Sequence, residues 1–223
     1  MIKLVLAGNT ATAEILLAYL QNDIRYEVVG ATVDDKFVAD ATIDGVACVG
    51  LSQLCKTFSP ESCRVLMAVG YSDLNRVRES LFVRLKEMGY TIETYVHPDA
   101  RVYSKLPLGE GSIVLPGTVI EPHARVGANT LVWCNVTLAH HSIIEDNCWI
   151  ASGTVVAGKA TVSRNSFVGV NATVVNEVCV GSYNVIGASS LISRNTKPDS
   201  VHLARSAEPL RFSSEEYVKH FGI

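Results

Sequence analysis

The chain has 223 residues, of which 48% are hydrophobic and 18% are charged, and its formal net charge is −3 at pH 7. Its length fits one large domain or two small ones, and its composition is that of a globular protein with an ample core. A nucleic-acid partner is not expected, because phosphate binding normally requires a basic excess and the sequence has no basic run.

Three further features bear on the compartment. The apolar run that begins at Met1 breaks at Gly8 and is too short for a signal peptide. No stretch approaches the roughly 20 apolar residues that a membrane-spanning helix needs. The six cysteines are scattered and form no CxxC pair, which favours reduced thiols. These observations predict a cytoplasmic protein with no membrane span.

Residues 1–95 alternate between strand-like and helix-like segments. Strands are predicted at residues 2–7, 27–33, 45–49, 64–69 and 91–95, and helices at residues 11–22, 52–58 and 74–88. Strands that alternate with helices imply a parallel sheet with right-handed crossovers. The segment therefore predicts a small Rossmann-like α/β domain.

Ligands of such sheets bind beyond the carboxyl ends of the strands. Those ends carry Gly8-Asn9-Thr10, Asp34-Asp35 and Gly70-Tyr71-Ser72. The first turn lacks the GxGxxG pattern, since Ala11, Thr12 and Ala13 follow it, so a full dinucleotide is not expected. The free helix N-terminus still favours a phosphate or diphosphate. The alternative is a turn selected only for its tight geometry.

From Val96 to Ile192 every sixth residue is aliphatic, 17 times in succession. Neither a helix, with period 3.6, nor an ordinary strand, with period 2, produces this row. A strict six-residue period predicts a parallel β-helix, in which each hexad forms one flat face and three hexads form one coil. The aliphatic residues would fill a triangular prism of five to six coils, roughly 25–30 Å long.

The chain is accordingly divided into an α/β domain at residues 1–95, a β-helix at residues 96–208 and a C-terminal segment at residues 209–223. The last segment contains Ser213-Ser214-Glu215-Glu216, a helix N-cap signature. It predicts a short terminal helix that covers the open end of the prism.

The most suggestive residues in the repeat are His140 and His141, which follow Leu138-Ala139 in outward-facing slots. A histidine side chain can accept a proton at neutral pH. Solvated surface histidines are the first alternative. A zinc site that includes His123 is the second, but adjacent residues point in different directions and Glu145 stands where a further histidine would be expected. No metal is therefore predicted.

The joint pattern resembles the bacterial nucleotide-aminosugar N-acetyltransferases, the PglD-like relatives of the NeuD sialic-acid acetyltransferases. The likeness covers nearly the whole chain and begins with the α/β domain and His97-Pro98-x-Ala100 at the start of the hexads. Its residues are Gly8, Asp34-Asp35, Val69-Gly70, the Arg76 helix, His140, Asn147-Cys148-Trp149-Ile150, Phe167-Val168-Gly169-Val170-Asn171 and Ile186-Gly187-Ala188.

This resemblance implies a left-handed β-helix and a homotrimer with active sites between subunits. The implied reaction moves acetyl from acetyl-CoA to the amine of a UDP-, dTDP- or GDP-linked amino-deoxysugar, of the 4-amino-4,6-dideoxy type. The product would serve surface polysaccharide or glycan synthesis, such as that of lipopolysaccharide O-antigen. Alternatives are a sugar O-acetyltransferase of the NeuD type and a non-catalytic hexapeptide scaffold.

The resemblance also implies roles for individual residues. His140 would be the general base, with His141 beside it in the catalytic site. The nucleotide sugar would contact Gly8, Asn9, Thr10, Ala11, Thr12, Asp34, Asp35, Gly70 and Tyr71. Acetyl-CoA, the cosubstrate, would contact Trp149, Gly158, Val170, Ala188 and Arg205.

Three departures from the family pattern are visible. The first turn, from Asn9 to Ala13, lacks the usual histidine. The residue after the catalytic histidine, often acidic, is here His141, so a carboxylate from a neighbouring loop or a backbone carbonyl is expected to orient His140. The usual Gly-x-Pro-Ala-Lys tail is replaced by residues 203–209, where Arg205 is expected at the CoA phosphates.

Overall fold

The N-terminal part of this computed structural model, which describes residues 1–38 and 42–222, is a small α/β unit. Its elements are β1 (Ile2–Ala7), α1 (Ala11–Leu20), β2 (Tyr26–Val33), a 3-10 turn (Asp35–Phe37), β3 (Thr42–Ile43), β4 (Val46–Gly50), α2 (Leu51–Thr57), β5 (Arg64–Met67) and α3 (Arg76–Glu87). The strand order is β3-β4-β2-β1-β5. All pairs except β3–β4 are parallel, which confirms the predicted Rossmann-like sheet.

Several boundaries differ from the prediction. Helix α3 begins at Arg76 because the three residues before it, Asp73, Leu74 and Asn75, all have positive φ angles. Helix α1 ends at Leu20, two residues earlier than predicted. The unpredicted strand β3 forms a hairpin with β4 across Asp44-Gly45, both with positive φ. An Asp-Gly pair is a strong hairpin signal, so this strand was readable in the sequence.

The predicted strand at residues 91–95 does not form as one element. Ile92 makes only an isolated bridge to Val65 at the edge of the α/β sheet. Tyr95–Val96 instead pairs with Ile113–Val114 and forms the first rung of the β-helix. The chain therefore leaves one sheet and enters the other within a few residues.

The β-helix has three faces, built from two-residue parallel strands. The first face contains β6 (Tyr95–Val96), β8 (Ile113–Val114), β11 (Leu131–Val132), β14 (Trp149–Ile150), β17 (Phe167–Val168), β20 (Val185–Ile186) and β22 (Val201–His202). The second contains β7 (Arg101–Val102), β9 (Val119–Ile120), β12 (Thr137–Leu138), β15 (Val155–Val156), β18 (Thr173–Val174) and β21 (Leu191–Ile192). The third contains β10 (Arg125–Val126), β13 (Ile143–Ile144), β16 (Thr161–Val162) and β19 (Cys179–Val180).

The register confirms three hexads per coil. Leu131 pairs with Trp149 and Trp149 with Phe167, so partners lie 18 residues apart. The second residue of each strand is the aliphatic member of the hexad row, and these side chains form one continuous buried cluster inside the prism. The repeat is the left-handed β-helix that the resemblance implied.

From residue 111 to residue 189, each corner of the prism carries one residue in the left-handed backbone region, three positions after the aliphatic residue. Asparagine takes this place at residues 129, 135, 147, 165 and 171. Asparagine tolerates this conformation better than most residues because its short side chain can hydrogen-bond locally. His123 and His141 occupy equivalent corners, with φ angles of 66° and 59°.

The C-terminal helix α4 (Ser214–Phe221) forms as predicted, with a complete capping box between Ser213 and Glu216. The prediction that it covers the open end of the prism is wrong, because none of its residues is buried. The preceding residues 203–212 are exposed throughout. Local capping therefore accounts for this helix better than packing does. Across residues 1–38 and 42–222, the helices are too short and too polar to cross a bilayer.

Two adjacent valines test whether successive side chains of a β-helix strand point alternately into and out of the prism. Val156 is 0% exposed inside the prism, whereas Val155 is 37% exposed on the second face. We expect Val156→Ala to lower the free energy of unfolding by about 2 kcal/mol, because it removes buried methyl groups and leaves a cavity. Val155→Ala should change it by less than about 0.5 kcal/mol. Urea unfolding followed by circular dichroism measures both, and equal shifts would contradict the assignment.

Candidate functional site

A cleft of about 910 Å³ opens at the carboxyl ends of β1, β2 and β5. Six residues predicted to bind substrate line it: Gly8, Asn9, Thr10, Asp34, Gly70 and Tyr71. The sequence analysis named Ser72 and Arg76 without assigning them to the substrate, and it missed the polar lining residues Lys36, Asp73, Ser80 and Arg84. Most of these lie in or just before α3, whose inner face could be assigned only once the helix was placed against the sheet.

Gly8 is required where β1 ends. Its φ angle is 138°, and a β-carbon there would lie 2.5 Å from the backbone oxygen of Ala68. The backbone at Gly8 thus passes close to the backbone at Ala68, and the N-terminus of α1 follows directly at the floor of the cleft. Thr10, the N-cap residue, makes no side-chain cap hydrogen bond within the described chain. The first N–H groups of α1 can therefore serve an anionic ligand.

Three predicted substrate residues do not line the cleft. Ala11 and Thr12 belong to the first turn of α1, and the Thr12 side chain is buried. Asp35 is a correction to the prediction, since its Oδ1 accepts hydrogen bonds from Ser52 N at 3.3 Å and Ser52 Oγ at 2.7 Å. A carboxylate at the start of a helix satisfies its free N–H groups, so Asp35 stabilises α2.

The cleft contains more cations than anions. Its charged lining residues are Lys36, Arg76 and Arg84 against Asp34 and Asp73. Arg84 Nη1 lies 2.7 Å from Asp34 Oδ1, and Arg76 Nη1 lies 3.2 Å from Asp73 Oδ1. The residual positive charge and the helix N-terminus together suit a diphosphate.

Buried Arg78 attaches α3 to the prism. Its guanidinium donates to the backbone oxygens of Asn129 at 3.2 Å, Asn147 at 3.1 Å and Cys148 at 3.0 Å. It also donates to Asn75 Oδ1 at 3.0 Å. Burial lowers the pKa of Arg78 to about 10, so the side chain stays charged at neutral pH. Helix α3 thereby holds the cleft against the corner between the third and first faces.

The prediction that Trp149 contacts acetyl-CoA is not supported by its position. Trp149 is only 4% exposed and lies beneath the α/β domain. Tyr71 packs edge-on against it with ring centroids 5.0 Å apart, and the Arg78 guanidinium lies 5.6 Å from its ring. Trp149 is an outward residue of the first face, and this is the face that the α/β domain covers.

His140 projects from the opposite corner, where β12 of the second face turns into β13 of the third. It is exposed, and its backbone N–H donates to Glu121 Oε2 at 2.7 Å. Its imidazole lies against Gly158, where a β-carbon would be 2.6 Å from Cε1 and 2.7 Å from Nε2. The structure thus brings two predicted site residues together. The expected carboxylate is present, but Glu121 engages the backbone and not the ring.

His141 lies between two other histidines. Its Nδ1 is 3.3 Å from His140 Nδ1, and its ring stacks on His123 with centroids 4.7 Å apart. Partial desolvation, with the neighbouring charges of His123, His140 and Lys159, lowers the pKa of His141 below its ordinary value. No group of three His, Cys, Asp or Glu side chains suited to a metal ion occurs within residues 1–38 and 42–222.

The other residues predicted at the CoA site lie elsewhere. Val170, 47% exposed, and Ala188 occupy successive coils at the corner between the first and second faces. The two are neighbours, since Ser189 N donates to Val170 O at 2.8 Å. Arg205 lies in the exposed segment beyond β22. Within one chain, only Gly158 of this set adjoins His140.

Comparisons with known proteins agree with this architecture. The family model for the bacterial transferase hexapeptide (six repeats) matches residues 123–158. No curated protein sequence matches the chain.

Three solved structures share the fold over nearly the whole chain. PerB from Caulobacter crescentus, in complex with CoA and GDP-perosamine, is 22% identical with a TM-score of 0.81, covering 91% of this chain and 94% of that one. The acetyltransferase domain of PglB from Neisseria gonorrhoeae, in complex with acetyl coenzyme A, is 23% identical with a TM-score of 0.80, covering 93% and 98%. WeeI from Acinetobacter baumannii is 15% identical with a TM-score of 0.82, covering 94% and 100%.

The lowered pKa of His141 can be measured by NMR titration of the histidine ring protons. We expect a midpoint below about 6.5, the ordinary value for histidine. Since the unfolded chain then binds this proton more readily than the folded chain, His141 should reduce stability as the pH falls below about 6.5.

The variant His123→Gly tests how much His123 contributes to the lowered pKa of His141. Glycine is the suitable replacement because it also accepts the positive φ angle at this corner. Removing the stacked ring takes away one neighbouring charge, so the His141 midpoint should move upward. An unchanged midpoint would contradict the contribution of His123.

Proposed function

We propose that the protein transfers an acetyl group from acetyl-CoA to the amine of a nucleotide-linked amino-deoxysugar. The observation that carries the proposal is the exposed imidazole of His140, held against Gly158 on the edge of a β-helix that also bears a diphosphate-compatible cleft. Fold neighbours support it, since PerB is described with CoA and GDP-perosamine and the PglB domain with acetyl coenzyme A.

His140 would act as the general base. Its Nε2 accepts a proton from the sugar amine while the amine nitrogen attacks the thioester carbonyl carbon. The carbon–sulfur bond then breaks, and the CoA thiolate takes the proton back from His140. Proton transfer of this kind typically contributes about 10²–10⁴-fold to the rate. Holding the amine and the thioester together supplies much of the remainder.

The cleft would bind the nucleotide part of the substrate. The N-terminus of α1, beside Gly8 and Thr10, and the cations Lys36 and Arg76 suit the diphosphate. Asp34 would lie by the base or ribose, because it follows the strand next to the phosphate site. On this assignment the acetyl-CoA binding residues are Gly158, Val170, Ala188 and Arg205. No metal takes part.

The positions of the cleft and His140 favour a homotrimer with sites between subunits. Tyr71 and Arg78 seat the α/β domain on the first face and one adjoining corner, whereas His140 occupies the corner opposite that face. A six-residue extended face spans up to about 20 Å. A neighbouring copy would bring its His140 to this cleft. Val170 and Ala188, at the corner between the first and second faces, would contact the same acetyl-CoA.

The acetylated sugar would enter surface polysaccharide or glycan synthesis, and we place the reaction in the cytoplasm. An O-acetyltransferase of the NeuD type would instead turn over a free sugar and would have no need of the nucleotide cleft. A non-catalytic scaffold would bind neither CoA nor nucleotide.

Release of CoA thiol tests the reaction directly, with UDP-, dTDP- and GDP-linked 4-amino sugars as acceptors. We expect wild-type turnover with at least one acceptor, and a loss of about 10²-fold or more in His140→Ala. Gly158→Ala should also lose activity without losing stability, because the added β-carbon displaces the imidazole. Near-normal turnover by His140→Ala would show that His140 is not the base.

Assemblies that mix two inactive variants test whether each active site is formed by two different subunits. Copies carrying His140→Ala are co-expressed in equal amounts with copies carrying Arg76→Glu, which places a negative charge at the phosphate site. If cleft and base come from different subunits, random mixing restores about a quarter of the wild-type sites. If both come from one chain, the mixture stays as inactive as its two parents. Each parent assembly alone is the control.

A further inference from the structure

The two ring nitrogens of His140 have different surroundings. Nδ1 faces the Nδ1 of His141 at 3.3 Å. Nε2 makes no hydrogen bond to any residue within 1–38 and 42–222, and lies at the surface beside Gly158. The first nitrogen is therefore engaged by the protein, and the second is free to meet a substrate.

Two facing Nδ1 atoms can share only one proton. If His140 Nδ1 carries it, His140 Nε2 has a free lone pair and can accept a proton from the amine. If His141 Nδ1 carries it, the proton of neutral His140 lies on Nε2 and this nitrogen cannot act as a base. The tautomer of the pair thus decides whether His140 is competent.

The protonated state of His140 selects between these arrangements. After His140 has accepted the substrate proton, both of its ring nitrogens carry hydrogen. Its Nδ1–H then needs an acceptor, and only a neutral His141 with hydrogen on Nε2 offers one. A hydrogen on His141 Nδ1 would instead face the hydrogen on His140 Nδ1 across 3.3 Å.

The groups around His141 favour its neutral form. His123 stacks on it from the preceding coil, and Lys159 occupies the equivalent corner of the next coil. The neighbouring carboxylates are both engaged, since Glu177 pairs with Lys159 at 3.2 Å and Glu121 accepts from the His140 backbone. Desolvation and the charges of its neighbours accordingly lower the pKa of His141.

We propose that neutral His141 is a positioning residue that accepts the His140 Nδ1 hydrogen and so keeps the lone pair of His140 on Nε2. This inference rests on the proposed acetyl transfer. It assigns to a second histidine the orienting role that a carboxylate holds in related patterns, and it gives the His123–His141 stack a purpose. Protonation of His141 converts the acceptor into a donor and disables the base.

The kinetic test compares two substitutions that both tolerate the left-handed corner, where His141 has a φ angle of 59°. His141→Gly removes the acceptor, and we expect kcat to fall about tenfold to a hundredfold while KM for both substrates stays within about twofold. His141→Asn restores an acceptor oxygen and should keep at least about a third of kcat. Equal losses in the two variants, or none in His141→Gly, would overturn the proposal.

The pH profile adds a second readout. In the wild type, both His140 and His141 must be unprotonated, so the acidic limb of kcat/KM should be steeper by up to one proton than in His141→Asn, which has no second histidine to titrate. The substrate amine must also be unprotonated to attack, but it contributes equally to both proteins and cancels in this comparison. Acidic limbs of equal slope would overturn the proposal.

A measurement without substrate separates this inference from the proposed function. Nitrogen-15 NMR of the histidine rings in the wild-type protein should show His140 with hydrogen on Nδ1, and His141→Gly should lose that preference. Hydrogen on Nε2 of wild-type His140 would refute the positioning role even if acetyl transfer is observed. Conversely, failure to acetylate any amino sugar would refute the proposed function and leave the tautomer result to stand.

Discussion

The closure of each coil after 18 residues is the constraint on which the rest of the molecule depends. An aliphatic side chain in every hexad must fill the prism, and the backbone ladder pairs each strand with the one 18 residues further on. Residues one coil apart are therefore stacked at about 4.8 Å. This spacing sets Gly158 against the ring of His140, and His141 between His123 and Lys159. The chemistry of the edge is thus a consequence of the repeat.

The attachment of the α/β domain is the second determinant. A buried guanidinium without a buried carboxylate would be costly in isolation, but Arg78 is surrounded by three backbone carbonyl oxygens and the Asn75 side chain. Two of these carbonyls belong to the corner residues Asn129 and Asn147, and the Cys148 oxygen also accepts the ladder hydrogen bond from Leu131 N. The opposite side of α3 lines the cleft. One helix consequently joins the ligand-binding surface to the rigid prism.

Sequence reasoning succeeded where a local rule has one outcome. The hexad row predicted the core and the coil length, and strand ends that lead into helices predicted six residues of the cleft lining. Sequence reasoning failed where several positions fit the same local pattern but have different surroundings in the folded protein. Trp149 and Val155 are both outward residues of two-residue strands, yet one is covered by the α/β domain and the other is not. Asp34 and Asp35 are adjacent acids at one strand end, but Asp35 is bound to Ser52.

The sequence by itself determined the coil, the parallel sheet and the corner placement of His140 and His141, because these follow from periodicity and from backbone rules acting over a few residues. Only the tertiary structure decided which element covers the first face, that α4 lies free of the prism, and which nitrogen of His140 meets His141. Those features depend on contacts between segments far apart in the chain and on the direction of single side chains. The outward residues of the first face, such as Leu131, Trp149 and Phe167, are larger and more apolar than most of those on the other two faces, but this pattern does not say which segment packs on them.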